Sequence, residues 1–215
     1  MSDVILNEIS ERFRQAKDLI DFAKRLEEGC DARSSCIKGM VFVSLYAVVE
    51  FSVTRTCEYY FEKIHMSEKK FSEFTTGVAC LMLEPFFKSL IEKKDLFSKK
   101  NVLDKFFLGN AVPIGVGVYP VSSSANIGYV QIKDMWRLIG LPGEGKPQGV
   151  TGVYFDEIKD KRNAVSHGRV TAQEVGARYS IMDLEKRLDF VEKFYVHLLE
   201  AFSSYYERKH YLCDC

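Results

Sequence analysis

The sequence predicts an all-α fold, a helical bundle interrupted by one long inserted loop around residues 108–126, with residues 1–215 forming a single domain. Three observations carry that expectation. Apolar residues recur at three- and four-residue steps over long stretches, the spacing that gives a helix one buried face. Glycine and proline stand where those stretches stop. Glycine, proline and serine also crowd into one segment, "LGNAVPIGVGVYPVSSSAN", which has no periodicity of its own.

Each element has a local reason. Over residues 3–28, Val4, Ile5, Ile9, Phe13, Ala16, Ile20, Ala23 and Leu26 mark one face of an amphipathic helix, and Gly29 is placed to end it. Residues 36–65 read as a second helix that is apolar nearly all round between Met40 and Val53, the signature of a buried central element. Residues 67–98 read as one or two further helices, with Pro85 starting or kinking one of them. The 108–126 segment reads as an irregular loop, with room for a short strand pair. Its "IGVG" glycines do not follow a strand and open a helix, so a nucleotide loop is not indicated. Loops of this length are uncommon and often functional. "NIGYVQIKDMWRLIGLPGEG" gives a short helix, with Asn126 as a candidate cap and Gly140 and Pro142 closing it. A helix over 151–167, a turn, and a long helix over 182–209 complete five to seven helices.

Composition narrows the function. Hydrophobic residues make up 47% and charged residues 28% of the 215, ordinary for a globular chain able to bury a core without staples. Lys+Arg and Asp+Glu both total 30, so the net charge is zero, which argues against coating nucleic acid by bulk charge but leaves room for a local basic site. The N-terminus lacks a basic segment leading into an apolar one, so no secretory signal is expected. The apolar run "MVFVSLYAVVE" is about half the length of a membrane span, so a cytoplasmic protein without membrane contact is expected. Cys30, Cys36, Cys57, Cys80, Cys213 and Cys215 lack zinc-type spacing and read as reduced thiols. "HYLCDC" at the end is a conceivable metal clip, but so short a tail is expected to fray, and neither metal nor cofactor is expected.

The stretch "KDKRNAVSHGRV", Lys159 to Val170, holds one of only four histidines. Advancing about 100° per residue from Arg162 puts Asp156, Asp160, Asn163 and His167 in one polar band. Tyr154, Phe155, Ile158 and Val165 fall on the opposite, apolar side. Arg162 sits at the edge between them, and its long side chain can swing onto the polar face. Asn163 and His167, four apart, stack over successive turns. Gly168 fits the position just past the helix, leaving His167 in the last turn, where the negative end of the helix dipole favours imidazolium.

That pairing has chemical content. An arginine fork stabilises the extra negative charge on phosphorus during RNA cleavage. A histidine takes a proton from the 2′-hydroxyl or gives one to the leaving oxygen. With the 2′-hydroxyl as nucleophile, no metal is required. The competing reading is that His167 caps its helix and Arg162 is a surface charge.

"RNAVSHG" resembles the Arg-Asn-x-x-x-His signature of the HEPN superfamily, followed by the glycine common in its members. "FVSLYAVVEFSVTRTCEYY" is similar to the buried second helix of the RiboL-PSP-HEPN branch, and "NIGYVQIKDMWRLIGLP" to the short helix that precedes the motif there. The resemblance implies an all-α, metal-independent endoribonuclease that dimerises, placing two Arg-His motifs across one composite site, and that serves as a toxin or an antiviral, abortive-infection effector. RNA is then the substrate, with an antitoxin or defence-system protein as a further partner. Arg162 and His167 match the catalytic pair and Asn163 the polar residue that orients them. Glu50 matches the second-helix acid more loosely. Asp160 and Ser166 are supporting candidates, and Arg169 and Lys161 are candidate RNA contacts, although a solvated surface charge is the alternative for Arg169. HEPN toxins paired with a minimal nucleotidyltransferase carry a tyrosine two positions after the histidine; Arg169 stands there instead, which speaks against a tyrosine-modifying antitoxin. On residue grounds alone, an acid in so apolar a helix needs a partner: Arg162, or else Arg55 or a nearby lysine. The alternative function is a non-catalytic HEPN-like module that binds RNA, a nucleotide or a protein.

Overall fold

A computed structural model of the chain describes residues 3–29, 31–67, 69–93, 95–109 and 126–213. Among these residues the fold is all-α: α1 (Asp3–Glu28), α2 (Arg33–His65), a 3-10 turn (Phe71–Glu73), α3 (Thr76–Lys93), α4 (Leu96–Leu108), α5 (Tyr129–Ile139), α6 (Val153–Ser166), α7 (Ala172–Gly176) and α8 (Ile181–Glu207). Residues 110–125, and with them the expected strand pair and the "IGVG" glycines, lie outside the described residues.

Three boundaries differ from the sequence expectation, each for a local reason. The 67–98 region resolves into the 3-10 turn, α3 and the start of α4, and Pro85 lies inside α3. Asp95 begins α4 as an N-cap, its carboxylate accepting from the Ser98 N–H at 2.8 Å, so the helix runs on to Leu108. The expected turn after α6 contains α7, which opens on a capping box: Thr171 Oγ1 accepts from the Glu174 N–H at 3.1 Å, and Glu174 accepts from the Thr171 N–H at 2.8 Å. Glycines let this short helix lie against α2. A Cβ at Gly39 would sit 1.9 Å from the Ala172 carbonyl oxygen, and one at Gly176 only 1.8 Å from that of Ser35.

The chain packs as two compact units. The first comprises residues 1–55, 124–130 and 146–198. Its core combines Ile9, Ala16, Ile20 and Ala23 of α1 with Val41, Phe42, Leu45, Val48 and Val49 of α2. α6 adds Phe155, whose ring lies 4.7 Å from Phe190 and 4.6 Å from Phe194 of α8, while Tyr129 stacks parallel to it at 6.0 Å. A charged clamp also ties α6 to α8. The Arg187 guanidinium, 10% exposed, donates to Glu157 at 2.9 and 3.0 Å, and the Tyr179 hydroxyl donates to the same carboxylate at 2.9 Å.

The second unit comprises residues 56–123, 131–145 and 199–215. It is aromatic, with Tyr60 stacked on Phe202 and Tyr206 on Tyr211. The chain end is bound rather than frayed, as far as Cys213. Leu212 bridges to Phe74, the Thr75 N–H donates to the Tyr211 carbonyl at 2.9 Å, and the Cys213 N–H donates to that of Glu73 at 2.9 Å. Cys215 and Cys30 lie outside the described residues.

By length and composition α2 could cross a membrane, because its apolar character continues past the eleven-residue run seen in the sequence. In this fold 56% of its most apolar window is buried inside the chain, as in the core helix of a bundle.

Candidate functional site

The candidate site lies within the first unit and is set by how α6 is rotated. Phe155 and Ile158 are 2% and 1% exposed and fix the buried face of the helix, and the Glu157–Arg187 clamp fixes its roll. One turn beyond Ile158, this rotation turns Arg162 inward toward α2. Its guanidinium carbon lies 3.6 Å from the ring centroid of Tyr46, and the side chain is only 18% exposed. The helical wheel had left Arg162 at a border. The aromatic face of Tyr46 is the reason it falls on the inner side.

The guanidinium is held along one edge. Nη1 donates to the Asn163 carboxamide oxygen at 2.7 Å and to that of Asn126 at 3.0 Å. Nη2 stands 3.8 Å from Glu50 Oε1, close enough for charge attraction but beyond hydrogen-bond length. Both protons of Nη1 are thereby engaged, while Nε and Nη2 keep donors along the side of the fork that matches a phosphate.

Glu50 departs from expectation in one respect. It is 45% exposed, so it is not the fully buried carboxylate that an apolar helix suggested. It nevertheless approaches Arg162, and Arg55 pairs with Glu8 at 3.5 Å. Tyr46 joins the cluster from one turn before Glu50. Its hydroxyl donates to Glu50 Oε1 at 3.4 Å and accepts from the Ile127 N–H at 2.8 Å. Burial is the main cause that raises the Tyr46 phenol above its usual range, opposed by the Ile127 N–H.

Asn126 does not stand at a helix cap, because α5 begins at Tyr129 and the cap position falls at Gly128. Its side-chain oxygen turns to Arg162 instead. The Tyr129 N–H, at the start of α5, donates to Asp156 Oδ1 at 3.3 Å. The segment before α5 is thus moored at three points, to Arg162, Tyr46 and Asp156.

His167 ends α6. It occupies the C-cap position, donates its backbone N–H to the Asn163 carbonyl at 3.0 Å, and leaves its imidazole exposed. Gly168 follows with φ 65°, as expected of the residue that reverses the chain past a helix.

The structure therefore brings Arg162, Asn163 and Glu50 together and leaves His167 open on the same helix. Other predicted residues stand apart from this cluster. Asp160 is 70% exposed and lies 4.0 Å from Lys159, while Asp156 is engaged with Tyr129 and Lys159. Ser166 and Arg169 are exposed and Lys161 is half-buried. Sequence reasoning missed the roles of Tyr46 and Asn126. Tyr46 carried a signal, since it lies four residues before Glu50 on the same face. Asn126 carried none beyond being a polar residue at the end of a long loop.

No curated protein and no solved structure is significantly similar to the chain. A family model, HEPN_MAE_28990/-like HEPN, matches residues 1–211. The all-α architecture with an Arg-Asn-x-x-x-His motif ending a late helix agrees with that match, and the chain belongs to the HEPN superfamily, as a HEPN_MAE_28990/-like HEPN domain.

Proposed function

We propose that this HEPN domain is a metal-independent endoribonuclease acting as a toxin or abortive-infection effector. The observation that carries this reading is the half-engaged guanidinium of Arg162, fixed along its Nη1 edge with Nε and Nη2 donors to spare, on a helix that ends in an exposed His167. Arg162 holds the scissile phosphate and stabilises charge as the 2′-hydroxyl attacks phosphorus. His167 transfers protons to or from the reacting oxygens, and Asn163 orients Arg162. The strand breaks at the 5′-oxygen, leaving a 2′,3′-cyclic phosphate and a 5′-hydroxyl. A second copy of the chain supplies the facing motif, so that two exposed helix ends form one cleft. Many HEPN domains are ribonucleases of this kind.

A second reading, a non-catalytic module that binds RNA, a nucleotide or a protein partner, draws on the amount of Arg162 already committed to Asn126, Asn163, Glu50 and Tyr46. Purified protein incubated with RNA in EDTA separates the two. Products ending in cyclic phosphate, lost in both Arg162→Ala and His167→Ala, support the ribonuclease. If expression arrests growth and both variants arrest it equally well, the proposed site is wrong.

A further inference from the structure

Arg162 takes its shape from residues outside its own helix. Asn163 is its neighbour in the chain and lies within the motif. Asn126 reaches it from 36 positions earlier, through a hydrogen bond of 3.0 Å to the same nitrogen. Tyr46 of α2 lies under the guanidinium plane and, through its hydroxyl, also holds the Ile127 N–H next to Asn126. Ile127 is 2% exposed and Tyr46 is 2% exposed, so this link sits on a packed foundation rather than on a mobile rim.

We infer that Asn126 and Tyr46 are positioning residues that, with Asn163, lock the Nη1 edge and one face of Arg162 so that its Nε–Nη2 edge is presented to a phosphate. The inference rests on the reading of Arg162 as the phosphate-binding group. Three constraints act on the guanidinium. The two carboxamide oxygens use both protons of Nη1 and fix rotation about the Nε–Cζ bond. The Tyr46 ring excludes water from one face and favours a planar cation there. Glu50, 3.8 Å from Nη2, attracts that end without capturing it, so a phosphate oxygen can displace the carboxylate at modest cost. An arginine free to turn would still be cationic, but it would meet the phosphate in many orientations. Misplacement of a catalytic group by about 1 Å is enough to cost about a hundredfold in rate.

The test uses the full chain and two readouts. In RNA cleavage, Asn126→Ala is expected to lower kcat by roughly tenfold or more while KM changes little, because alignment is lost and charge is kept. Nitrogen-15 NMR of the Arg162 side chain reports the same loss without any reaction. The parent shows slow Nη rotation; Asn126→Ala averages it. Asn126→Asp, which keeps an acceptor oxygen in place, restores it. Tyr46→Phe keeps the ring but releases the Ile127 N–H, and is expected to give a partial loss in both readouts. If Asn126→Ala does not fold, Asn126→Leu removes the acceptor at nearly equal volume. Titration with inorganic phosphate should move the Arg162 Nε resonance in the parent and, over a similar range of phosphate, move it less in Asn126→Ala, where the charge is kept and the alignment is lost. If the parent cleaves RNA and Asn126→Ala cleaves it equally well, the inference is overturned. If the parent cleaves no RNA, the ribonuclease reading fails separately, and the NMR still decides: unchanged Arg162 rotation in Asn126→Ala overturns the inference, while collapsed rotation supports it.

Discussion

Replacing Glu157 with alanine removes the carboxylate that ties α6 to α8, and its consequence can be worked from the geometry. Arg187 is 10% exposed and Glu157 20% exposed, so the substitution leaves a largely buried cation without its counter-charge. Two charged hydrogen bonds of 2.9 and 3.0 Å disappear, and the Tyr179 hydroxyl loses its acceptor. Arg187 keeps the Asp183 carbonyl at 2.7 Å, the Asp183 carboxylate at 4.0 Å and the rings of Tyr154 and Tyr179, whose centroids lie 4.9 and 5.1 Å from its guanidinium carbon. Breaking a buried ion pair by removing one partner typically costs about 3–5 kcal/mol, and the remaining Asp183 contacts place this case near the lower end, about 3 kcal/mol. For a chain of this size that corresponds to a fall in melting temperature of roughly 6–12 °C. Circular dichroism at the helix band during a thermal scan measures it directly. The double substitution Glu157→Leu with Arg187→Met removes both charges and fills the space, and should recover most of the loss. A single variant melting within about 2 °C of the parent, far short of the lower bound of about 6 °C, would refute the claim that this clamp fixes α6.

Other consequences are as direct. Gly39→Ala places a methyl 1.9 Å from the Ala172 carbonyl oxygen, so α7 must move; a loss of at least about 2 kcal/mol in denaturant unfolding is expected, and a neutral result would mean that α7 does not pack this closely. Acid sensitivity also follows from the capping and paired carboxylates. A side-chain hydrogen bond from Arg14 lowers Glu11 from 4.5 to about 2, and hydrogen bonds from Thr171 and Ser180 lower Glu174 and Asp183. These groups bind fewer protons when folded, so their stabilisation is complete above the unfolded value and is lost as pH falls through the folded one. For Glu11 that window runs from pH 4.5 down to about 2, and Arg14→Gln should flatten this part of a melting-temperature profile. An acid limb identical in parent and variant counts against the pairing.

How much of this could be read from the residues alone depends on range. α1, α2, α6 and α8 were legible because each is a long run with apolar residues on one face or, in α2, nearly all round, and α1 and α6 stop at glycines, Gly29 and Gly168. α4 and α7 were not, because each starts on a cap, Asp95 and the Thr171–Glu174 box, that looks like ordinary loop polarity until a helix follows it. The motif was legible in the same local way, since Arg162, Asn163, His167 and Gly168 all belong to one helix end. The direction in which Arg162 points was not. It is decided by Tyr46 and Asn126, which are distant in sequence and meet only when α2 and the start of α5 are brought to α6. Glu50 illustrates the limit of composition: an acid in an apolar helix suggested burial, yet it lies at the margin of the packed face and is nearly half exposed.

The turn that closes α6 also makes this helix end a good place for a molecular ruler. After Gly168 the Arg169 and Val170 N–H groups fold back onto the Ala164 carbonyl at 2.9 and 3.3 Å, so residue 169 is held as firmly as the last helical turn while its side chain stands in solvent. A nitroxide attached through Arg169→Cys would inherit that rigidity without replacing Arg162, Asn163 or His167. Cys36, Cys80 and Cys213, together with Cys30 and Cys215 outside the described residues, would first be changed to serine, leaving the buried Cys57, so that one label reports per chain. Between two copies whose motifs face each other, pulsed electron resonance should then return one short, narrow distance. Broad or absent coupling would mean that each helix end meets its target alone.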